Sequence, residues 1–358
     1  MKTAIVLGTR PEIIKMSPVV RALEERSADF LIIHTGQHYS YNLDKVFFEQ
    51  LNLPLARYNL EVGSGSHAEQ TAKALVSIEE VLLREKPDIV LVEGDTNSVL
   101  AGALAAVKLN IKVGHVEAGL RSYDRRMPEE INRILADHCS DYLFAPTAKS
   151  KSILLGEGVP DKKIFVTGNT IVDAVYQNLD LAGKKADALN SLRLHPNGYF
   201  LLTLHRQENV DNPARFAPIL EGVNRVSAKF HLPIIYPIHP RSRKRMNESG
   251  LEAKNLSLID PVDFLSFLQL ESKAKLVLTD SGGVQEETCV LGVPCCTLRD
   301  STERPETIEV GSNILAGASS ENIVACIELM LGKKNDWQNP FGDGTAGEQI
   351  VKILEAKI

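Results

Sequence analysis
Short apolar runs rich in Ile, Leu and Val recur along the chain, and the stretches between them carry apolar residues at the spacing of amphipathic helices. Strands are expected at residues 4–7, 30–34, 88–92, 112–116, 142–145 and 164–166, and again at 199–204, 234–238, 256–259, 276–279, 295–298 and 313–315. Helical periodicity fills 68–85, 98–109, 129–138, 213–230 and 321–331 between them. Strands buried on both faces read as continuous apolar runs, so the pattern predicts an α/β fold with parallel sheets covered on both sides. Twelve strands exceed what one twisted open sheet carries comfortably, and the chain should divide. The expected break is Thr167-Gly168-Asn169-Thr170, giving one domain over 1–168 and a second over 169–342, with a last helix within 343–358 returning to the first.

Ligands of open α/β sheets bind beyond the C-terminal ends of the strands, so the polar residues that follow each run matter most. Two junctions share one design. Lys275-Leu276-Val277-Leu278-Thr279-Asp280-Ser281-Gly282-Gly283-Val284 is a strand, a Ser-Gly-Gly turn and a helix start. Thr3-Ala4-Ile5-Val6-Leu7-Gly8-Thr9-Arg10-Pro11-Glu12 is a strand, a glycine turn and a helix start. Such junctions aim backbone N–H groups and a helix dipole at one spot, and glycine lets an anion come close. One per half points to a diphosphate held between two domains. Neither junction carries G-x-G-x-x-G, so NAD and FAD are not expected.

Composition narrows the classes. With 358 residues, 44% hydrophobic and 24% charged, the chain has ordinary soluble composition and room for two cores. A net charge of −6 argues against general attraction to nucleic acid or anionic membrane. No apolar run nears the ~20 residues of a membrane span, and no signal-peptide pattern precedes Leu7, so a cytoplasmic protein is expected. The five cysteines show no C-x-x-C pair, and Cys295 and Cys296 read as small core residues of a buried strand.

At the strand ends, Arg10 and Lys15 can both reach an anion at the first helix N-terminus, although Lys15 also reads as a solvated helix lysine. Asp95, in Val92-Glu93-Gly94-Asp95-Thr96, is either an N-cap or a carboxylate facing the ligand. Glu117 ends an apolar strand, where poor solvation favours acid–base work; its neighbour His115 opens a metal reading that lacks a clear third ligand. Glu129 follows Pro128 at a helix start, where it complements the dipole or serves in catalysis. His205 follows the first strand of the second half, a position suited to proton exchange or anion pairing. Arg304, in a charged loop, can bind phosphate or hold carboxylates.

Taken together, Gly8-Thr9-Arg10-Pro11-Glu12, Gly94-Asp95-Thr96, His115-Val116-Glu117-Ala118-Gly119-Leu120-Arg121, Pro128-Glu129-Glu130-Ile131-Asn132-Arg133, Gly168-Asn169-Thr170, His205-Arg206-Gln207-Glu208-Asn209, Asp280-Ser281-Gly282-Gly283-Val284-Gln285-Glu286-Glu287 and Thr302-Glu303-Arg304-Pro305-Glu306 carry a resemblance. In this order they resemble the non-hydrolysing UDP-N-acetylglucosamine 2-epimerases. The resemblance implies two Rossmann-like domains of GT-B type with parallel sheets and an interdomain cleft, a homodimer, a UDP-sugar substrate, and neither metal nor other cofactor. It also implies catalytic roles for Asp95, Glu117, Glu129 and His205. Arg10, Lys15, Ser281, Gly282 and Gly283 then fall at the substrate or its diphosphate, Glu287 at the ribose, Phe267 and Val262 at the uracil side, and Arg304 at the matching arginine.

Two features depart from many bacterial relatives that bind a second UDP-sugar as activator. The loop Gln37-His38-Tyr39-Ser40-Tyr41-Asn42-Leu43-Asp44 is one residue longer, and Glu69 stands before Gln70-Thr71 where those relatives carry arginine. The reversed charge leads us to expect that such activation is lost.

Overall fold
The computed structural model describes residues 1–36 and 41–358, with the backbone alone for 41–44. The chain forms two compact units, Met1–Ala174 with Phe341–Ile358, and Val175–Pro340.

In the first unit seven parallel strands are ordered β3-β2-β1-β4-β5-β6-β7. They are β1 (Lys2–Leu7), β2 (Asp29–His34), β3 (Tyr58–Asn59), β4 (Ile89–Glu93), β5 (Lys112–Val116), β6 (Tyr142–Ala145) and β7 (Ile164–Val166). β1 lies between β2 (Lys2 opposite Asp29) and β4 (Thr3 opposite Ile89). Strand order therefore reverses between β1 and β4, which opens a crevice beyond their C-terminal ends. Ala4, Val6, Val90 and Val92 pack on one face against Ile78, Leu82 and Val99 from the helices His67–Glu85 and Asn97–Lys108. The opposite face of β1 and β4 turns toward the helix Arg10–Glu25, and the closing helix Ala346–Lys357 packs on that same helix.

The second unit repeats the design with six parallel strands ordered β10-β9-β8-β11-β12-β13. These are β8 (Phe200–Thr203), β9 (Ile234–Pro237), β10 (Leu256–Ile259), β11 (Leu276–Thr279), β12 (Cys295–Thr297) and β13 (Asn313–Leu315). Its switch point lies between β8 and β11, where Phe200 is opposite Leu276 and the Thr203 and Thr279 hydroxyls bond at 2.6 Å. Its core combines Phe200, Leu202, Tyr236, Leu278 and Cys296 with residues of the Pro213–Phe230 and Ser320–Gly332 helices. Burial pushes the Cys295 thiol up to about 12, in keeping with a packing role.

Two local expectations need correction. β3 went unseen because two residues carry no readable period. Asp95 is not an N-cap: Thr96 takes that place, its hydroxyl accepting from the Val99 N–H. No helix among the described residues is long and apolar enough to cross a membrane.

Candidate active site
At the β1/β4 switch point the polypeptide turns from β1 through Gly8 into the helix Arg10–Glu25. A Cβ at Gly8 would lie 2.1 Å from Ser98 Oγ, so only glycine brings this turn against the neighbouring helix. Pro11 sits in the first turn, and no side chain caps the helix. The Gly8 N–H instead donates to Glu12 Oε2 at 2.5 Å. Burial lifts the Glu12 carboxyl to about 7, against the pull of that N–H and the Thr96 and Thr9 hydroxyls. Arg10 rests over the Phe47 ring, 4.8 Å from its centroid.

One turn on, Lys15 is drawn inward and is no solvated lysine. Its Nζ pairs with Glu117 Oε2 and lies 3.3 Å from Glu93 Oε1, with all three side chains at most 11% exposed. Glu117 is held at φ 69°, a left-handed conformation that costs a non-glycine residue about 1 kcal/mol or more and that collects at functional sites. The loop behind it is pinned from beneath. Asp137, fully buried, takes His115 Nδ1 at 2.7 Å, Arg121 Nη2 at 2.7 Å and the Gly119 N–H at 3.2 Å.

His115 is therefore no metal ligand. Its Nε2 lies 2.9 Å from the Gly94 carbonyl, so both ring nitrogens face acceptors. Burial opposes its charge, but Asp137 outweighs burial and raises the imidazole pKa. Among the described residues no group of three His, Cys, Asp or Glu is placed to hold a metal.

Asp95 follows β4 and is gripped through Oδ2 by Arg133 Nε and Nη2 at 3.0 and 2.6 Å. Oδ1 carries no hydrogen bond among the described residues, which leaves one oxygen for a ligand. Arg133 in turn holds Glu130 at 2.7 Å, and Glu130 accepts the Ser122 and Tyr123 N–H groups at 2.9 Å each. Of the two adjacent glutamates Glu130 is thus spent on the fold, while Glu129 has no hydrogen bond or ion pair among the described residues.

In the second unit His205 follows β8. Its N–H and that of Arg206 donate to Asp280 at 3.1 and 2.9 Å, and its Nδ1 lies 3.3 Å from Asp280 Oδ1. Asp280 is fully buried, whereas the His205 side chain is half exposed. The carboxylate thereby fixes Nδ1 and leaves Nε2 outward. After β11, Ser281 starts the helix Gly282–Leu291, and its hydroxyl makes no capping bond. A Cβ at Gly282 would meet nothing closer than 3.7 Å, and one at Gly283 nothing closer than 4.0 Å. Neither glycine is demanded by the fold; both leave the helix N-terminus open to a ligand.

The charged loop after β12 is locked. Arg299 forks onto Glu303 at 2.9 Å twice, and Arg304 Nε lies 2.5 Å from Glu286 Oε1. Burial opposes ionisation of Glu303, yet the Arg299 fork holds its carboxyl well below the usual range. Glu287 is buried beside Glu271, whose own carboxyl is pushed well up by burial and by that neighbour. Val262 and Phe267, half-buried, pack at the margin of the Tyr199–Leu201 cluster.

The chain has counterparts among known proteins. The UDP-N-acetylglucosamine 2-epimerase family model matches residues 21–355. The chain belongs to that family. It is 59% identical over 99% of both chains to the UDP-N-acetylglucosamine 2-epimerase of Methanocaldococcus jannaschii. The crystal structure of that organism's enzyme in complex with UDP-GlcNAc and UDP matches with a TM-score of 0.94 and 58% identity, covering 99% of this chain and 100% of the other. A more distant relative, the UDP-2,3-diacetamido-2,3-dideoxy-D-glucuronate 2-epimerase of Pseudomonas aeruginosa, is 42% identical over 99% of each chain. The two Rossmann-like parallel sheets are those of the GT-B epimerases, as the motifs led us to expect.

Within the family's frame, Arg10, Lys15, Asp95 and Glu117 are brought to the ends of β1, β4 and β5, and Glu129 to the helix start beyond β5. His205, Ser281, Gly282 and Gly283 follow β8 and β11. Glu93, Arg133 and Asp280 escaped the sequence reading although each lies inside a quoted motif or strand end. Their partners are remote in sequence, and no spacing rule pairs Glu93 with Lys15. Glu69 closes a capping box, accepting from the Ser66 N–H at 2.9 Å, so its charge serves the His67–Glu85 helix. Of the longer loop, 37–44, residues 37–40 lie outside the described residues, and 41–44 belong to the helix Tyr41–Gln50.

Proposed function
We propose that the chain interconverts UDP-N-acetylglucosamine and UDP-N-acetylmannosamine by eliminating UDP and adding it back. The observation that supports this best is the set of carboxylates at the β1/β4 switch point, with Glu117 in left-handed backbone against Lys15. The C2 proton of the sugar is not next to a carbonyl, so direct removal and return would be slow. Elimination avoids this. A carboxylate takes the C2 proton as the C1–O bond to the β-phosphate breaks, and the C–H electron pair becomes the C1=C2 bond of 2-acetamidoglucal. UDP then re-adds at C1 while a proton is delivered to the other face of C2. Two faces need acid–base groups on both sides, and Asp95, Glu117 and Glu129 supply them. No step calls for a metal or a nicotinamide.

Departure of a diphosphate needs positive potential, which Arg10, Lys15 and the open helix N-terminus at Ser281, Gly282 and Gly283 provide. His205 offers Nε2 to the sugar or diphosphate, as a donor when the ring is protonated. Glu287 takes the ribose, Phe267 and Val262 border the uracil, and Arg304 stands behind them. The protein works as a cytoplasmic homodimer; analytical ultracentrifugation showing a monomer at micromolar concentration would remove the dimer.

A GT-B glycosyltransferase would release UDP only with an acceptor, and a hydrolysing epimerase would release free N-acetylmannosamine. Proton NMR of UDP-N-acetylglucosamine incubated without acceptor should show UDP-N-acetylmannosamine. Accumulation of free N-acetylmannosamine and UDP would replace this reading with hydrolysis.

A further inference from the structure
Glu93 ends β4 on the face turned toward the helix Arg10–Glu25, and no role in the epimerase reaction has yet been given to it. It is 2% exposed, its Oε1 sits 3.3 Å from Lys15 Nζ, and burial and the Glu117 carboxyl both oppose its ionisation. Lys15 is also the ion-pair partner of Glu117. Two carboxyl groups therefore share one lysine in a place that water barely reaches. Two buried like charges repel strongly, and a single cation balances only one of them. The charge belongs on Glu117, whose ion pair with Lys15 is the closer. The proton belongs on Glu93.

We propose that Glu93 is a positioning residue: its uncharged carboxylic acid, buried beside Lys15, donates to Glu117 and sets both the orientation of that carboxylate and how readily it takes a proton. This deepens the reading of Glu117 as an acid–base group and rests on it. Burial and the Glu117 carboxylate hold the Glu93 carboxyl well above the usual range despite Lys15, so the donor persists at neutral pH. The other titratable groups around it are Glu12 on the Lys15 helix, Asp95 two residues on, and His115, whose Nε2 bonds the Gly94 carbonyl. The helix Asn97–Lys108 carries charge only at Lys108, its far end. With Glu12 also lifted to about 7, a rise in pH adds negative charge to the cluster and weakens the arrangement.

The test compares Glu93→Gln, which keeps a neutral donor of the same length, with Glu93→Leu, which keeps bulk and removes the donor. Both should fold, by circular dichroism, and bind UDP with wild-type affinity. Glu93→Gln should retain kcat within about threefold and carry its alkaline decline to higher pH. Glu93→Leu should lose about tenfold or more in kcat with KM nearly constant, the scale of one buried hydrogen bond. If Glu93→Gln is as slow as Glu93→Leu, Glu93 must ionise in turnover and the proposal fails. If Glu93→Leu is as fast as wild type, Glu93 is a bystander and it fails too. Glu117→Gln is measured alongside: full activity there would overturn the role of Glu117 itself, whatever the Glu93 variants do.

Discussion

Both sheets wind outward from a switch point, β1/β4 in one unit and β8/β11 in the other, yet the residues that follow those strands differ in kind. In the first unit carboxylates outnumber the cations that face them. Glu12 and Glu93 are held above their usual range, while Glu117 pairs with Lys15 and Asp95 with Arg133. In the second unit the buried charges of the loop after β12 are paired, Arg299 with Glu303 and Arg304 with Glu286, and the crowded carboxyls Glu271 and Glu287 lie within helices. What remains open there is backbone at Gly282 and Gly283, and an imidazole set by Asp280. In the proposed reading one topology thus serves a proton-handling site and an anion-holding site. The difference lies in whether the ions at the strand ends are balanced. Unbalanced carboxylates stay near the point of exchanging protons, whereas balanced pairs fix a loop and leave N–H groups to the ligand.

The contrast breaks most sharply through the acid–base groups. Glu117→Gln and Asp95→Asn should each lower kcat by ~10²–10⁴-fold while UDP affinity, read by calorimetry, stays close to wild type. Glu129→Gln should fall in the same range; near-normal turnover would return Glu129 to the helix dipole.

A loss of stability in the second unit comes next. Glu303→Gln leaves the buried Arg299 with only the half-exposed Glu208, 3.2 Å from its Nε, as a charged partner, which costs up to about 3–5 kcal/mol in chemical denaturation at pH 7. Because Glu303 is depressed in the folded state, its stabilisation is present above its unfolded pKa and is lost only as pH falls through the folded value. The gap between variant and wild type should therefore persist at pH 5. A Glu303→Gln protein as stable as wild type would show that these pairs are not balanced as described.

Substitution at the open glycine is milder. Gly282→Ala has room in the fold, so its melting temperature should hold while KM for the UDP-sugar rises about tenfold, one 1.4 kcal/mol step, with kcat little changed. An unchanged KM would mean that no ligand approaches this backbone.

The smallest effect belongs to Glu12. Its folded pKa is raised to about 7, so its contribution is fully present below the unfolded value and is lost as pH rises through 7. Glu12→Gln should flatten the fall in melting temperature between pH 5 and 8; an unchanged slope would remove Glu12 from the account.

Much of this was legible in the residues. Continuous apolar runs such as Val277-Leu278 announce buried parallel strands, and the Gly and Pro that follow them mark the turns into the helices. Two kinds of information were not legible. Asp and Thr both cap helices well, so Asp95 and Thr96 looked interchangeable until Thr96 took the cap and Arg133 took Asp95. Buried charge is decided by partners far off in the chain: the sequence around His115 gives no sign that Asp137 lies beneath it, and Glu93 reads as a strand end until Lys15 closes on it. Periodicity reports which face is inside, but not which ions share it.

The central claim is that the unbalanced carboxylates of the first unit remove and return the C2 proton. It is tested most directly by incubating UDP-N-acetylglucosamine with the protein in D₂O and following C2 by proton NMR. The account predicts deuterium at C2 in UDP-N-acetylmannosamine and, as the reaction reverses, in recovered UDP-N-acetylglucosamine, with Glu117→Gln slowing the incorporation. Epimerisation that leaves C2 fully protonated in both sugars would contradict it.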